Sequence, residues 1–252
     1  MTKIEMKTVE EIITENYLAA EVLNKHGIDL FNQEAKTLAE ACQKQALNLG
    51  YIEQEIRETE GHRSYNYDKW ELDYLIDHIL NTHHYFIWVN LPVIKEYALK
   101  VSRSQGDKYP VTIEVNRLFK ELATEIEHHL DNQEHNIFPY IKRMLYAYRD
   151  GSKFISENLE MSVITMKAEA NCYAAKLNLM ESLLRTTDIA NQQETTASVL
   201  LYKLGAFKYN FYQHMHLEKN ILFPKALKLE RKLVSREEGV GNRQKELGAL
   251  GN

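Results

Sequence analysis

The chain has few of the residues that interrupt helices, with only 10 glycines and 4 prolines among 252 residues. This scarcity excludes a fold of many short strands and tight turns, and it favours long helices. Cysteine pairs are also lacking, since Cys42 and Cys172 are the only cysteines and stand far apart in the chain. Neither a disulfide scaffold nor a zinc knuckle is therefore expected.

The chain also lacks a strong positive charge and a long apolar run. The net charge is −5 and no stripe of basic residues stands out, so nucleic-acid binding is not expected. No apolar segment approaches the roughly 20 residues needed to cross a bilayer. The N-terminus, Met1 to Glu10, has no apolar signal core. These absences predict a cytoplasmic protein without a membrane partner.

What the chain does contain is hydrophobic residues, 44% of the total, at helical spacing. Residues 1–57 predict a small domain of short helices, in which Val9 to Leu23 follow one helical stripe and Gly27 supplies a stop. The polar segment 58–67 predicts a linker. An up-down-up-down four-helix bundle is predicted over 68–232. Its helices are expected at 69–101 (with a candidate kink at Pro92), 112–148, 156–184 and 195–230. A flexible tail is predicted over 233–252.

Histidines are concentrated on three of these long helices. On the last helix, His214 and Glu218 lie in an apolar stripe that runs from Leu200 to Ile221 in steps of three or four residues. A carboxylate buried without a partner is costly or changes its protonation state, and a metal cation beside an imidazole removes that cost. Seven of the 10 histidines belong to the three groups, namely His83 and His84; His128, His129 and His135; and His214 and His216.

The first and second bundle helices present comparable apolar stripes. His84 lies in line with Ile87, and His129 lies in line with Ile126 and Gln133. A single histidine on an apolar face is usually a packed core residue, but three on three helices are harder to explain in that way. The pattern therefore predicts a metal site inside the bundle. Histidine and carboxylate ligands without a thiolate favour iron, manganese or zinc over copper(I).

These segments resemble the iron–sulfur cluster repair di-iron proteins, also called repair-of-iron-centres proteins, in which a small N-terminal domain precedes a hemerythrin-like bundle. The resemblance covers nearly the whole chain and is carried by LIDHILNTHHYFIWVNLP, HHLDNQEHNIFPYIK and HMHLEKNILFPKAL. It implies an all-α fold and non-haem iron. It also implies repair of clusters damaged by nitric oxide or peroxide, iron–sulfur proteins as recipients, and a homodimer. The ligands that it implies are His84, His129, His214 and Glu218.

The chain departs from the family outside these ligands. Phe31 and Asn32, or their immediate neighbours, stand where the family has two adjacent cysteines, so redox or transfer chemistry by such a pair is absent. In the loop after the first bundle helix, Gln105 corresponds to a ligand histidine and Tyr109 to a second histidine. On the third helix, whose apolar stripe contains no histidine, the ligand histidine of the family corresponds to Ala170 or Asn171.

Gln133 stands where the family has a bridging glutamate, which changes the charge of the site. Two iron(II) ions would bring four positive charges, and Glu218 is the only clear anion to offset them. His129, His214 and Glu218 form a two-histidine, one-carboxylate set that suits a single iron(II) ion, with His84 as a fourth ligand. The expected cofactor is thus one or two iron ions in an incomplete site. Candidate replacement carboxylates are Glu125, Glu134 and Glu169.

Three functions remain open at this point. The chain handles iron for cluster repair, or it binds or senses oxygen or nitric oxide as a hemerythrin-like module, or it is a structural descendant that has lost its metal. Met166, Tyr173 and Met180 filling the site side of the third helix would favour the last alternative.

Overall fold

A computed structural model describes residues 3–16, 19–28, 36–60, 67–185 and 195–249, and these residues are largely helical. Within these ranges the only β pairing is a single antiparallel bridge between Thr8 and Thr37. The all-α fold class predicted from the sequence is therefore confirmed. No helix in the described part of the chain is both long and apolar enough to span a membrane.

The N-terminal segment folds into short helices. Capping boxes fix two of them, because the Thr8 and Thr37 hydroxyls accept from the backbone N–H three residues later, where a glutamate bonds back. Gly27 adopts φ +74° just beyond the second helix, as expected of a helix stop. The helices are α1 (Val9–Glu15), α2 (Ala19–Lys25), α3 (Leu38–Lys44) and α4 (Leu49–Glu60), and a 3₁₀ turn (Ile4–Met6) precedes them.

The stripe from Val9 to Leu23 is divided between α1 and α2, because the chain breaks its helical course at Asn16. This residue has an extended backbone, with φ −143° and ψ 93°. Its side-chain amide donates to the Thr59 hydroxyl at 2.7 Å, which ties the break to α4. A side-chain bond to a distant helix thus competes with continuation of the local helix.

The N-terminal helices and the bundle bury apolar side chains in one shared cluster, in which Leu23 and Ile56 join Leu91 and Phe207. The division into domains at 1–57 and 68–232 stays a prediction. Helix α4 continues through residues 58–60 of the expected linker, and Tyr67–Lys69 form a 3₁₀ turn. Residues 61–66 lie outside the described residues, as do Phe31 and Asn32.

The bundle has four long arms, three of which contain one turn of π-helix. Helix α6 packs against α7 and α10, and α9 packs against the same two, so the arms close into a ring. The first arm is α5 (Leu72–His78), π1 (Ile79–His84) and α6 (Tyr85–Gln105). The second is α7 (Val111–Asn132), π2 (Gln133–Ile137) and α8 (Phe138–Asp150). The third is α9 (Leu159–Arg185), and the fourth is α10 (Thr195–His216), π3 (Leu217–Leu222) and α11 (Phe223–Ala249).

Two of the π segments end at a Phe-Pro pair. The backbone N–H of Phe138 donates to the carbonyl of Gln133, and that of Phe223 donates to the carbonyl of Glu218, each five residues back. The proline that follows each phenylalanine has no N–H and cannot bond to the carbonyl four residues before it. The α-helical ladder is therefore interrupted at this point in both arms, and the π turn accommodates the interruption.

Helix α11 runs on through most of the segment 233–252, for which the sequence predicts a flexible tail. The Arg236 guanidinium donates to the Ala147 carbonyl at 3.0 Å and to the Ser152 carbonyl. These bonds fasten the start of the segment to the end of α8. The segment therefore begins as an anchored helix, and the flexible tail over 233–252 stays a prediction.

The interior of the bundle contains two hydrophobic clusters. One includes Ile87, Ile126 and Phe211 and extends to the N-terminal helices, and the other includes Ile79 and Ile137. The apolar stripe predicted on the last arm is buried along its whole length. Between the two clusters lies a layer of buried polar side chains.

Candidate metal centre

The polar layer consists of five side chains, each at most 4% exposed. All of them come from the three arms that contain a π segment. π-helical turns are rare and occur frequently at functional sites. The five residues of the layer are His84, His129, Gln133, His214 and Glu218, and three of these lie within the π segments themselves.

Three residues of the layer form a compact group. His84 Nε2 lies 3.2 Å from His214 Nε2, and His214 Nε2 lies 3.0 Å from Glu218 Oε1. One potential ligand atom from each residue lies within 4.8 Å of the other two. Nitrogen and oxygen ligands at about 2.1 Å from one cation would be about 3 Å apart at right angles. The spacing of the three side chains is therefore compatible with one shared cation.

The compact group differs from the expected one in its third member. The sequence predicts a group of His129, His214 and Glu218, with His84 as the fourth ligand. In the structure, His84 joins His214 and Glu218, and His129 lies outside the group. His129 is buried, and its Nε2 finds no hydrogen-bond partner within the described ranges. Its ring meets Tyr173 edge-on, with 5.6 Å between ring centroids. His129 therefore lies beside the compact group rather than within it.

A carboxylate stands behind each of two histidines. Glu134 Oε1 accepts from His84 Nδ1 at 2.8 Å, and Glu169 Oε2 accepts from His129 Nδ1 at 2.8 Å. A proton on Nδ1 leaves the lone pair on Nε2, which is the atom available to a metal. The sequence had suggested Glu134 and Glu169 as replacements for a lost ligand. In the structure they instead orient the histidines and do not take the place of a ligand.

Gln133 occupies the position of the expected bridging carboxylate. Its Nε2 donates to Glu218 Oε2 at 2.9 Å and lies 3.6 Å from the Met166 sulfur. Of the two alternatives for the missing histidine on α9, Ala170 is buried and Asn171 is exposed. Ala170 thus faces the interior at this position, and its methyl group cannot coordinate.

Several buried atoms at the layer lack a hydrogen-bond partner among the described residues. Leaving such an atom unpaired costs about 1–3 kcal/mol. A cation at the layer would satisfy the lone pairs of His129 Nε2, Gln133 Oε1 and Glu218 Oε1, which otherwise have nothing to accept. The donor set therefore fits a divalent cation that binds imidazole and oxygen. The unpaired atoms of the layer are His129 Nε2, Gln133 Oε1, His214 Nδ1 and Glu218 Oε1, the last in close contact with His214 without hydrogen-bond geometry. His214 Nδ1 lies on the opposite side of the ring from the Nε2 of the compact group, so it would not bind the same ion. His83 Nδ1, beside the layer, is also unpaired.

Burial sets the protonation states of the layer. It lowers the pKa of His214 to about 3 and also lowers the pKa of His84. It raises the pKa of Glu218, because an isolated carboxylate is poorly solvated between two apolar clusters. Both imidazoles are therefore neutral at neutral pH and keep a lone pair, and a cation would favour the ionised form of Glu218.

His83 is a buried histidine that the sequence pattern did not assign to the interior. It is 3% exposed, and its ring stacks on that of His214 with 6.1 Å between centroids and 14° between planes. His83 and its neighbour His84 are the last two residues of π1, and both are buried. His128 and His135 are exposed, in agreement with their predicted lateral positions, and His216 is half-buried.

Two other positions singled out from the sequence are not part of the layer. Gln105 ends α6, 21 residues beyond His84 (105 minus 84), which is about 30 Å along a helix axis. Both carboxylate oxygens of Glu125 accept hydrogen bonds from the Lys176 ammonium, each at 2.6 Å. The loop position is therefore not a lost ligand of this centre, and Glu125 is not a replacement one.

Comparison with known proteins gives a consistent match. A family model described as the Hemerythrin HHE cation binding domain matches residues 74–226, which include the whole polar layer. The chain is similar to the Iron-sulfur cluster repair protein YtfE of Yersinia pseudotuberculosis serotype O:1b (strain IP 31758), with 26% identity over 214 residues, 84% of this chain and 92% of that protein. The protein of the same description from Yersinia pestis (strain Pestoides F) is 25% identical over the same shares.

Proposed function

Because this chain belongs to the hemerythrin HHE cation-binding domain family, we propose that it binds non-haem iron inside its bundle and acts in the repair of iron–sulfur clusters. The observation that carries the iron proposal is the meeting of His84, His214 and Glu218 within 4.8 Å in a buried layer. The repair proposal is supported by the relatives, which are described as cluster repair proteins and are covered by this chain over 92% of their length.

Each residue of the layer has a separate task in this proposal. His84, His214 and Glu218 hold the ion, and His129 adds a fourth donor. Glu134 and Glu169 keep the histidine lone pairs directed inward through their 2.8 Å bonds. When bound, iron supplies one-electron chemistry and binds small diatomic ligands. The apolar clusters on both sides exclude water from the centre.

We propose one iron ion per chain rather than two. The layer contains a single carboxylate, Glu218, beside the neutral Gln133. Two iron(II) ions would place four positive charges against that one anion, with Glu134 and Glu169 only behind the histidines. A set of two histidines and one carboxylate suits a single non-haem iron(II) ion.

A metal-free structural protein is the competing reading. Met166, Tyr173 and Met180 are buried on α9, and Met166 and Tyr173 contact Gln133 and His129, as this reading expects. It leaves several buried polar atoms at the layer unsatisfied, however, and each of these costs stability. The unsatisfied donor set favours the iron-binding reading.

Iron analysis tests the proposal. After anaerobic purification and incubation with iron(II), the native chain should retain about one ion. Glu218→Gln has the same shape without the charge and should lose the ion, because the cation is then uncompensated. His128→Gln changes the exposed neighbour of His129 and should retain it. A native chain that takes up no iron(II) would contradict the proposal and support the metal-free reading.

The repair activity requires a second measurement. An iron–sulfur enzyme inactivated with nitric oxide should recover when the iron-loaded chain is added, and it should not recover with Glu218→Gln. If nitric oxide changes the absorption spectrum of the iron-loaded chain but the damaged enzyme does not recover, the chain is a binding or sensing module and the repair proposal is wrong.

A further inference from the structure

Trp88 is connected to the candidate ligand His84 through a single carboxylate oxygen. The indole N–H donates to Glu134 Oε1 at 3.0 Å, and the same oxygen accepts from His84 Nδ1 at 2.8 Å. Trp88 is 40% exposed, the Glu134 side chain is 27% exposed and the His84 side chain is 1% exposed. The three side chains therefore form a path of two hydrogen bonds from the surface to the polar layer.

Two arms of the bundle build this path. Trp88 lies one turn after His84 on the first arm, and Glu134 follows Gln133 in the π turn of the second. Orienting His84 requires only the carboxylate, so the bond from the indole is additional. An indole is among the side chains that lose an electron most readily, and a bonded carboxylate can take its N–H proton.

We propose that Trp88 supplies an electron to the iron centre, through Glu134 and His84, when iron(II) reacts with hydrogen peroxide. This inference rests on the proposed function and on its single ion. One iron(II) ion gives up one electron on becoming iron(III), whereas reduction of hydrogen peroxide to water takes two. With only the iron electron, the O–O bond breaks to hydroxide and a hydroxyl radical, which attacks the protein.

With Trp88 in the path, the reaction conserves atoms and electrons. Iron(II) loses one electron and becomes iron(III), and the indole loses one electron and becomes a neutral indolyl radical. The O–O bond breaks, and both oxygens become water after taking up two protons from solvent. The indole N–H proton passes to the Glu134 carboxylate. A one-electron reductant such as ascorbate then reduces the half-exposed indolyl radical, and the proton returns to the ring from Glu134. A second equivalent of the reductant reduces iron(III) to iron(II).

Trp70, the other tryptophan of the chain, provides a matched control. Its ring packs against Tyr67 and His78, with centroid distances of 4.6 and 5.1 Å. The ring of His78 lies 5.7 Å from that of His83, which stacks on His214. Trp70 thus approaches the layer through a series of rings instead of through the Glu134 bridge. Its replacement tests whether the electron takes that route.

The experiment compares the native chain with Trp88→Phe and Trp70→Phe. The iron content of each is measured first, and each iron(II)-loaded protein is then mixed anaerobically with hydrogen peroxide in an amount below that of iron. Freeze-quenched samples of the native chain and Trp70→Phe should show the electron paramagnetic resonance of a tryptophan radical and about one iron(III) per peroxide. Trp88→Phe should show no such radical and should give hydroxyl-radical adducts of a spin trap.

The outcomes separate this inference from the iron proposal. An iron-loaded native chain that gives hydroxyl-radical adducts and no tryptophan radical overturns the inference and leaves the iron centre intact. A radical that disappears in Trp70→Phe and persists in Trp88→Phe also overturns it, because the electron then comes through the rings. A native chain without iron overturns both proposals, and the first measurement reveals this.

Discussion

Gln133 donates its side-chain amide to Glu218 Oε2 at 2.9 Å, and both side chains are completely buried between the two hydrophobic clusters. A neutral donor at this position lets Glu218 ionise without meeting a second negative charge. Because Gln133 is neutral, Glu218 is the only carboxylate in the layer. In the proposed iron centre, Gln133 would therefore limit how much positive charge the site can hold.

Replacing Gln133 by glutamate should raise the iron content from about one to about two ions per chain, because a second carboxylate offsets the second cation. In the metal-free protein the same change should lower stability, since two neighbouring carboxylates cannot both ionise at low cost. Iron analysis and thermal unfolding with and without iron measure the two effects. An unchanged iron content would mean that the missing donor at Ala170, and not the charge, limits the number of ions.

Glu169→Gln should weaken iron binding by about 10- to 100-fold, because the carboxylate behind His129 no longer fixes the orientation of its ring. The affinity can be measured by competition with a coloured iron chelator. Glu125→Gln is the matched control, since this glutamate is paired with Lys176 instead of a histidine. Equal affinities of the two variants would show that Glu169 does not position His129.

The metal-free protein should lose stability as the pH falls below about 6.5. Burial lowers the pKa of His83 and of His214 from 6.5 in the unfolded chain to about 3. Between these values the unfolded chain binds more protons than the folded one, so the stability present above pH 6.5 decreases through this window. Each histidine contributes a slope of about 1.4 kcal/mol per pH unit.

Denaturant titrations of the metal-free protein at several pH values between about 7 and 4.5 measure this slope. His83→Gln should reduce it by the share of one histidine. Glu218 acts in the opposite sense, because burial raises its pKa and the stability it contributes is lost as the pH rises above 4.5 through the raised value. A slope that is the same in the native protein and in His83→Gln would show that His83 is not the group that takes up the proton.

Glu230→Ala should destabilise the bundle by about 2–4 kcal/mol, whether or not iron is bound. The buried carboxylate accepts from the Tyr140 hydroxyl, from Ser156 Oγ at 2.7 Å and from the backbone N–H of Leu159 at 3.2 Å. It thereby holds the start of α9 against α11. The free energy of unfolding from denaturant titration provides the measurement.

Glu160→Ala is the control for that change, because Glu160 stands in the first turn of α9 with its side chain exposed and pairs loosely with Arg231. Exposed ion pairs contribute about 0–1 kcal/mol. Similar losses in the two variants would contradict the role assigned to Glu230.

Helical periodicity was sufficient to predict which faces of the four arms are buried. The apolar stripe on the last arm contains His214 and Glu218, and both are completely buried. The Phe-Pro pairs at residues 138–139 and 223–224 were visible in the sequence, but their consequence for the backbone was not drawn from them. On the first arm, the sequence pattern placed His84 in the apolar stripe and assigned no interior position to His83, which the structure buries in π1, a π turn without a Phe-Pro pair.

The carboxylates behind the histidines were harder to place from the sequence. Glu134 meets His84 from 50 residues away, and Glu169 meets His129 from 40 residues away. Such contacts depend on how the arms are rotated against each other, which periodicity along one helix does not specify. The sequence identified Glu134 and Glu169 as carboxylates near the centre, and only the packing of the arms shows that they bond to Nδ1.

Each π turn contains one residue more than the α-helical turn that it replaces. Deleting one residue from Leu217–Leu222 would replace this π turn by an α-helical turn and leave the apolar faces of α10 and α11 directed to the same side, while Pro224 would still lack an N–H. The packing that folds the bundle and the irregularities that arrange its donors are therefore encoded separately along the same arm. A chain of this kind can gain or lose its centre by small insertions and deletions while its architecture persists.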